Sequence, residues 1–191
     1  MNHHENLKII AIVGLTGSGK SIAVEYFANK GIPKIYMGGF AYEMMAERGI
    51  EKGEENEKKF RIDVRNEAGA DVYALRANDQ IHHLANAGQH RVVVDGIYSW
   101  AEYKTMKHEF PGELTTIAVI APKHMRYNWL AHRPDRPQTE EVSRERDNNE
   151  IEDIQKGGPI AAADYFVLNN GSIEAFHDQL EGIIEAVGFY A

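Results

Sequence analysis

The segment with the clearest chemistry is a glycine-rich stretch near the N-terminus, residues 14–21, which reads GLTGSGKS. It matches the phosphate-binding pattern G-x-x-x-x-G-K-[ST], the P-loop or Walker A motif. Glycines allow backbone N–H groups to turn inward around a phosphate, where a Cβ would obstruct them. We therefore predict a nucleotide site. Its residues in this stretch are Gly14, Thr16, Gly17, Ser18, Gly19, Lys20 and Ser21.

Two side chains of this motif have distinct predicted roles. Lys20 is expected to contact the β- and γ-phosphates of ATP, and Ser21 is expected to place its hydroxyl on Mg²⁺. The apolar run before the motif predicts a strand and the residues after it predict a helix, whose positive dipole end would face the same phosphates. This order of elements is the one in which the motif binds phosphate.

A third candidate is Asp95, the last residue of the apolar segment RVVVD, which is followed by Gly96. In parallel α/β sheets, ligands lie at the carboxyl ends of the strands. A carboxylate there can hold Mg²⁺, directly or through water, or accept a proton from an acceptor hydroxyl. The alternative is an aspartate that only caps the turn after its strand.

Five arginines fall in a short span of an otherwise acidic protein: Arg126, Arg133, Arg136, Arg144 and Arg146. Arg133 and Arg136 lie in the proline-interrupted segment HRPDRP, residues 132–137. Guanidinium groups on a mobile segment can close over phosphates and neutralise charge in the transition state. This predicts catalytic roles for Arg133 and Arg136, and a nucleotide contact for Arg133. The alternative is a solvated charged helix, because acidic residues alternate with the arginines.

The hydrophobic pattern alternates between strands and helices along the whole chain. Apolar runs predict strands at residues 7–13, 34–37, 91–95, 115–120 and 165–168. Helices are predicted at 20–30, 40–48, 54–68, 71–87, 99–108, 123–131, 139–155 and 173–187, with Gly157, Gly158 and Pro159 breaking the helix that precedes them. This alternation indicates an α/β fold whose parallel sheet is covered on both faces.

Composition narrows the possible partners and the compartment. The formal net charge of -8 disfavours binding to nucleic acid or to an anionic membrane. The absence of cysteine excludes disulfides and thiolate chemistry. The polar start of the chain, residues 1–8, leads into an apolar run that is too short for a signal peptide or a membrane span. We expect a cytoplasmic protein, either a monomer or a homodimer.

These residues resemble the nucleoside-monophosphate-kinase-like group of P-loop proteins, related to adenylate kinase and dephospho-CoA kinase. The similarity covers nearly the whole chain and includes VDGI at 94–97 and ADYFVLNNGS at 163–172. It implies a single three-layer P-loop kinase domain, 1–191, with a five-stranded parallel sheet. It further implies a helical acceptor-binding insert at about 38–88 and an arginine-bearing lid at about 132–158. Backbone near Asn169 and Gly171 would contact the base of ATP.

The acceptor side departs from these relatives. Gly39 stands where they often carry an aspartate, Tyr42 and Glu43 lie where an arginine would hold an acceptor phosphate, and Tyr98 follows the Asp-Gly step where a further arginine is expected. The residues that could compensate are arginines and aromatic side chains. They are Arg61, Arg65, Arg76, Tyr36, Tyr42, Tyr98 and Trp100, and the aromatic ones are equally consistent with core packing.

Two functions from different classes remain open. The first is an ATP- and Mg²⁺-dependent phosphotransferase whose acceptor is a nucleotide-like small molecule, either a nucleoside monophosphate or dephospho-CoA. The second is a regulatory P-loop NTPase that transfers phosphate only to water, which the altered acceptor residues favour. An RNA-associated factor is disfavoured by the net charge and by the lack of a basic, aromatic stripe.

Overall fold

The computed structural model describes residues 6–190, apart from the side chain of Glu54. Residues 1–5 of the polar N-terminal stretch, and Ala191, lie outside the described residues. The strands are β1 (Lys8–Val13), β2 (Lys34–Tyr36), β3 (Arg91–Asp95), β4 (Leu114–Ile120) and β5 (Tyr165–Leu168). The helices in the described range are α1 (Lys20–Ala28), α2 (Gly39–Glu47), α3 (Glu54–Ala68), α4 (Val72–Asn86), α5 (Trp100–Glu109), α6 (Lys123–His132), α7 (Glu140–Glu152), α8 (Gly157–Ala161) and α9 (Ile173–Ala186).

All five strands form one parallel sheet in the order β2-β3-β1-β4-β5. The central strand β1 is apolar at nearly every position because both of its faces are covered, and residues 9–13 are all buried. Parallel strands end at the same edge of a sheet. The residues that follow β1, β2, β3 and β5 are thereby brought to one side of the molecule.

Helices cover both faces of the sheet, which gives three layers. On one face, Ile10 and Ile12 of β1 pack with α1 and α9, including Phe27 and Phe176. On the other face, Ile9, Ala11 and Val13 pack with apolar side chains from α2, α3, α4 and α5. The alternation along β1 therefore divides the core into two clusters. The predicted α/β fold with a five-stranded parallel sheet is confirmed.

The element boundaries agree with the predicted ones to within a few residues, with one correction. Residues 157–159 were expected only to interrupt the preceding helix, but Gly157–Ala161 forms the short helix α8. Proline is compatible with a first helical turn, where its missing N–H is not required. The three helices α2, α3 and α4 make up the predicted insert at 38–88. Its role in acceptor binding stays a prediction.

No helix among residues 6–190 is both long enough and apolar enough to cross a membrane.

Candidate functional site

The glycine-rich loop joins the end of β1, at Val13, to the start of α1, at Lys20. Gly19 directly precedes the helix with a left-handed φ of 102°, and a Cβ at this position would overlap the side-chain amide of Asn169. Glycine is therefore required here both for conformation and for space. The first N–H groups of α1, including those of Lys20 and Ser21, have no acceptor within the helix and point to the loop side.

The ammonium group of Lys20 lies inside the loop, where Nζ donates a hydrogen bond to the carbonyl of Leu15 at 3.1 Å. Burial, followed by the positive charge of Lys156, lowers the pKa of Lys20 to about 7, although Glu150 and Asp95 act in the opposite direction. Lys20 is thus a desolvated cation whose charge is only partly compensated. An anion at this position would restore its full protonation.

Asp95 lies at the carboxyl end of β3, opposite Ile12 of β1 in the sheet register, where its charge acts on that of Lys20. Burial raises the pKa of its carboxyl group, and the charges of Lys20 and Lys34 offset part of that rise. The structure therefore brings together Lys20 and Asp95, which are 75 positions apart in the chain. A carboxylate with a raised pKa is a better proton acceptor than an exposed one.

A carboxylate from α7 binds the loop itself. Glu150 accepts hydrogen bonds from the backbone N–H of Thr16 at 3.2 Å and from its hydroxyl at 2.5 Å. The same carboxylate pairs with Lys156 Nζ at 2.8 Å and with Arg146 Nε at 3.3 Å. Burial alone would raise the pKa of Glu150, but Lys156, Thr16 and Arg146 outweigh it and hold the pKa at about 2.

A second ion pair fixes α7 against α6 next to the loop. The guanidinium of Arg126 contacts both carboxylate oxygens of Asp147, at 2.9 and 2.6 Å, and the hydroxyl of Tyr127 donates to the same carboxylate. Arg126 also donates to the carbonyl of Thr16 at 2.9 Å. Thr16 is therefore held on its carbonyl side by α6 and on its N–H side by α7.

The two arginines predicted as catalytic lie apart from this cluster. Arg133 follows the end of α6, and its Nε donates a hydrogen bond to the backbone carbonyl of Arg136. Arg136 is exposed and has a left-handed φ of 50°. They stand in the irregular segment between α6 and α7. The structure brings Arg126 and Arg146 to the loop instead, and the lid role of Arg133 and Arg136 stays a prediction.

The loop after β5 touches the glycine-rich loop. Asn169 Nδ2 donates to the carbonyl of Ser18 at 3.0 Å. The side chain of Ser18 is buried, and its hydroxyl has no hydrogen-bond partner in the described part of the chain. Ser21 is exposed in the first turn of α1, and Gly171 is exposed beyond Asn169. Contacts of Asn169 and Gly171 with a base stay predictions.

Two aromatic rings, those of Tyr36 and Tyr42, lie on the predicted acceptor side. The ring of Tyr36 lies over Gly38 and Gly39, since a Cβ at Gly39 would come within 3.0 Å of that ring. The hydroxyl of Tyr42 donates to the buried Glu57 at 3.0 Å, and Arg61 lies 5.5 Å from the Tyr42 ring centroid.

A third ring, that of Tyr98, is mostly buried. Its hydroxyl has a raised pKa, first because of burial and then because of the charge of Asp95. Lys156 Nζ lies 5.2 Å above the centroid of this ring. The backbone N–H of Tyr98 donates to the fully buried Glu102, which also completes the capping box of α5 with Ser99.

The three arginines considered for the acceptor are all paired with carboxylates. Arg65 pairs with Glu102 at 3.0 Å and lies over the ring of Tyr73. Arg76 pairs with Glu47 at 3.4 Å on the surface. A cavity of about 790 Å³ between α2 and α4 includes Arg76 but no residue of the glycine-rich loop. Arg61 likewise pairs with the buried Glu57 at 3.5 Å, so these contacts do not single out one of the three arginines as an acceptor-binding cation.

The residues present fit a nucleoside triphosphate. Gly14, Gly17 and Gly19 have positive φ angles and leave no room for a Cβ, so the backbone can take the turn of a phosphate-binding loop. Lys20 supplies a buried cation, and α1 presents its first N–H groups. Ser21 and Asp95 are the residues that would hold Mg²⁺. Among residues 6–190 there is no group of three or more His, Cys, Asp or Glu side chains able to hold a metal ion. Mg²⁺ binding stays a prediction.

Comparison with known proteins agrees with this geometry. A family model described as an AAA domain matches residues 10–155. A UPF0200 protein of Thermococcus onnurineus is 36% identical over 182 residues, which cover 94% of this chain and 97% of the relative. This chain belongs to the UPF0200 family.

The fold of this UPF0200 protein is shared with solved kinases. A gluconokinase from Sinorhizobium meliloti superposes with a TM-score of 0.58 at 16% identity, covering 96% of this chain and 97% of that one. A dephospho-CoA kinase from Campylobacter jejuni gives a TM-score of 0.54 at 14% identity, covering 95% and 98%. At these identities the likeness establishes the P-loop kinase fold.

Three side chains at the UPF0200 site were missed from the sequence: Asp147, Glu150 and Lys156. The acidic residues of α7 entered the sequence analysis only through the alternative of a solvated charged helix. The i, i+3 spacing of Asp147 and Glu150 does place them on one face of α7. That spacing was the available signal.

Proposed function

We propose that this UPF0200 protein is an ATP-dependent phosphotransferase whose acceptor is a nucleotide-like small molecule. The observation that carries the proposal is the meeting of Lys20, in the glycine-rich loop, with Asp95, at the end of the neighbouring strand β3. One residue is suited to hold phosphate and the other to hold Mg²⁺ or to accept a proton. Both belong to a P-loop kinase fold.

On the donor side, ATP would supply the phosphoryl group and Mg²⁺ would neutralise part of its charge. The loop N–H groups and Lys20 would bind the phosphates, and Ser21 and Asp95 would hold the metal. Asn169 and Gly171 would lie near the base. Phosphoryl transfer requires positioning and charge stabilisation more than a covalent nucleophile, and the site is built from such groups.

On the acceptor side, the ion pairs that already occupy Arg61, Arg65 and Arg76 support an acceptor that offers a hydroxyl rather than a phosphate. Asp95, whose pKa is raised by burial, would accept the hydroxyl proton. Tyr36 and Tyr42 would contact a flat group, and Arg61 would hold one negative charge if it exchanged Glu57 for that charge. Dephospho-CoA has this chemistry, and nucleoside monophosphates are the alternative acceptors. We further propose that this small-molecule partner is met in the cytoplasm.

A regulatory NTPase is the second candidate. The observation that favours it is the packing of the Tyr36 ring against the turn after β2. In that turn, Gly39 supplies no carboxylate where the related kinases often carry an aspartate. Such a protein would release phosphate to water and would need no acceptor pocket.

The experiment is a transfer assay with γ-labelled ATP, Mg²⁺ and a panel of nucleoside monophosphates and dephospho-CoA. We expect label to appear in one acceptor class and to be lost in the Asp95→Asn variant. Steady phosphate release without transfer to any acceptor would favour the regulatory NTPase. Failure to bind MgATP or MgADP in calorimetry would overturn both functions.

A further inference from the structure

Glu150 occupies hydrogen-bond donors of the glycine-rich loop that face the phosphate end served by Lys20. The ammonium of Lys20 contacts Leu15, the residue before Thr16, and Thr16 gives both its N–H and its hydroxyl to Glu150. Because Lys20 is the residue that reaches the β- and γ-phosphates, these donors lie at the terminal-phosphate end of the loop. A carboxylate there is itself an anion bound by a phosphate-binding loop.

Lys156 is buried next to the Glu150 carboxylate. Its side chain is only 3% exposed, and its Nζ lies 2.8 Å from Glu150. After burial, the charge of Lys156 contributes most to the lowered pKa of Lys20. A surface lysine could make a salt bridge without losing its hydration, whereas burying one costs free energy unless an anion accompanies it.

The surroundings of Lys156 connect the loop to the end of β3. Its Nζ stands above the ring of Tyr98, three residues after Asp95. Lys156 occupies the position that directly precedes α8, where Gly158 packs so closely on Trp100 that a Cβ would come within 2.7 Å of the indole. Lys156 therefore lies between the glycine-rich loop and the strand end that carries Asp95, where the phosphoryl group would be transferred.

The charges near Lys20 favour an incoming polyanion. Three cations, Lys20, Lys156 and Arg146, are accompanied by two carboxylates, Glu150 and Asp95. A terminal phosphate approaching Thr16 would repel Glu150 and attract its two partners. Exchange of one anion for another leaves both cations paired, so neither is left as an isolated buried charge.

Building on the proposed function, we propose that Lys156 binds the terminal phosphate of the nucleotide, which displaces the Glu150 carboxylate from Thr16. Lys156 and Arg146 then pass from the carboxylate to phosphate oxygens. The cluster thereby distinguishes a triphosphate from a diphosphate, because only the triphosphate reaches Thr16. Glu150 is a competitor of that phosphate, and Lys156 is a ligand of it.

The test compares the affinities of Mg²⁺-loaded β,γ-imido-ATP and MgADP by calorimetry. In Lys156→Met we expect the imido-ATP affinity to fall by about 10-fold or more and the ADP affinity by less than about threefold. In Glu150→Gln, which keeps an acceptor oxygen for Thr16 but removes the charge, we expect imido-ATP to bind about threefold to tenfold tighter with ADP unchanged. The matched controls are Lys104→Met and Glu145→Gln, two exposed charges that should leave both affinities unchanged.

Because either variant leaves a buried charge without its partner, the double variant Lys156→Met/Glu150→Gln is measured as well, with thermal unfolding of all variants. It should show the reduced preference for imido-ATP seen in Lys156→Met. The inference would be overturned if the double variant kept the full wild-type preference, or if the single variants changed both affinities equally. Either result would show that the pair only stabilises the conformation of the loop. If wild-type protein binds neither nucleotide, the proposed function fails together with the inference. If the wild-type protein binds both nucleotides and the variants keep its preference for imido-ATP over ADP, the inference alone fails.

Discussion

The side-chain amide of Asn169 donates a hydrogen bond to the backbone carbonyl of Ser18 at 3.0 Å. This bond connects the loop after β5 to the glycine-rich loop after β1, although β4 lies between these two strands in the sheet. The same amide fills the space that a side chain at Gly19 would need. The shape of the glycine-rich loop therefore depends on a residue 150 positions later in the chain.

Replacing Asn169 with alanine should weaken nucleotide binding without unfolding the protein. The loss of one hydrogen bond to the loop predicts an affinity for MgADP that is about threefold to tenfold lower. Calorimetry measures it, and Asn170→Ala, an exposed neighbour, is the control. Equal affinities in the two variants would mean that the bond does not support the binding conformation.

Lys20→Met should abolish ATP turnover and, at the same time, stabilise the fold at neutral and acidic pH. The pKa of Lys20 is lowered from 10.5 to about 7, so keeping it charged in the folded state costs free energy. This cost is fully present below pH 7 and disappears as the pH rises towards 10.5. Thermal unfolding should therefore give the variant a higher Tm by several degrees at pH 6, with a smaller gain at pH 10. A gain that is independent of pH would contradict the assignment.

Arg133→Ala and Arg136→Ala should lower kcat if residues 132–158 act as a lid. Arginines that stabilise the transition state of phosphoryl transfer are worth on the order of 10³-fold or more. Steady-state kinetics and a melting curve of each variant separate catalysis from stability. Arg144→Ala, an exposed arginine on α7, is the matched control. A wild-type kcat in both variants would contradict the predicted catalytic roles of Arg133 and Arg136.

Mutations of the buried pair of Arg126 and Asp147 should have strongly non-additive effects on stability. Either Arg126→Met or Asp147→Asn leaves one charge without its partner and should cost about 3–5 kcal/mol of unfolding free energy. The double variant should cost less than the sum, because no isolated charge remains. Urea denaturation measures these values, and disruption of the exposed pair of Lys59 and Asp63 should have a smaller effect. Additive single effects would argue against a coupled pair.

The fold and the donor loop could be predicted because their signals are local. The run at residues 7–13 fixes a buried central strand, and the glycine spacing of 14–21 fixes the loop. Asp95 was identifiable because a strand end in a parallel sheet is a known place for a ligand.

The cluster around Glu150 could not be predicted because burial of a charged residue depends on distant partners. Lys156 and Glu150 are an ordinary surface pair by composition, and only the packing of α7 on Thr16 makes them interior. For the same reason the sequence ranked Arg133 and Arg136 above Arg126 and Arg146. Proline interruption identifies a turn, but it does not tell which arginine reaches the loop.

The Tyr36 ring over Gly38 and Gly39 limits how this protein can acquire another acceptor. A Cβ at position 39 would lie 3.0 Å from the ring, so an aspartate there would require the half-exposed Tyr36 side chain to move by a few tenths of an ångström. Position 38 is tighter, because a Cβ there would come within 2.8 Å of the same ring. A second carboxylate in this turn is therefore better introduced at position 39 than at position 38.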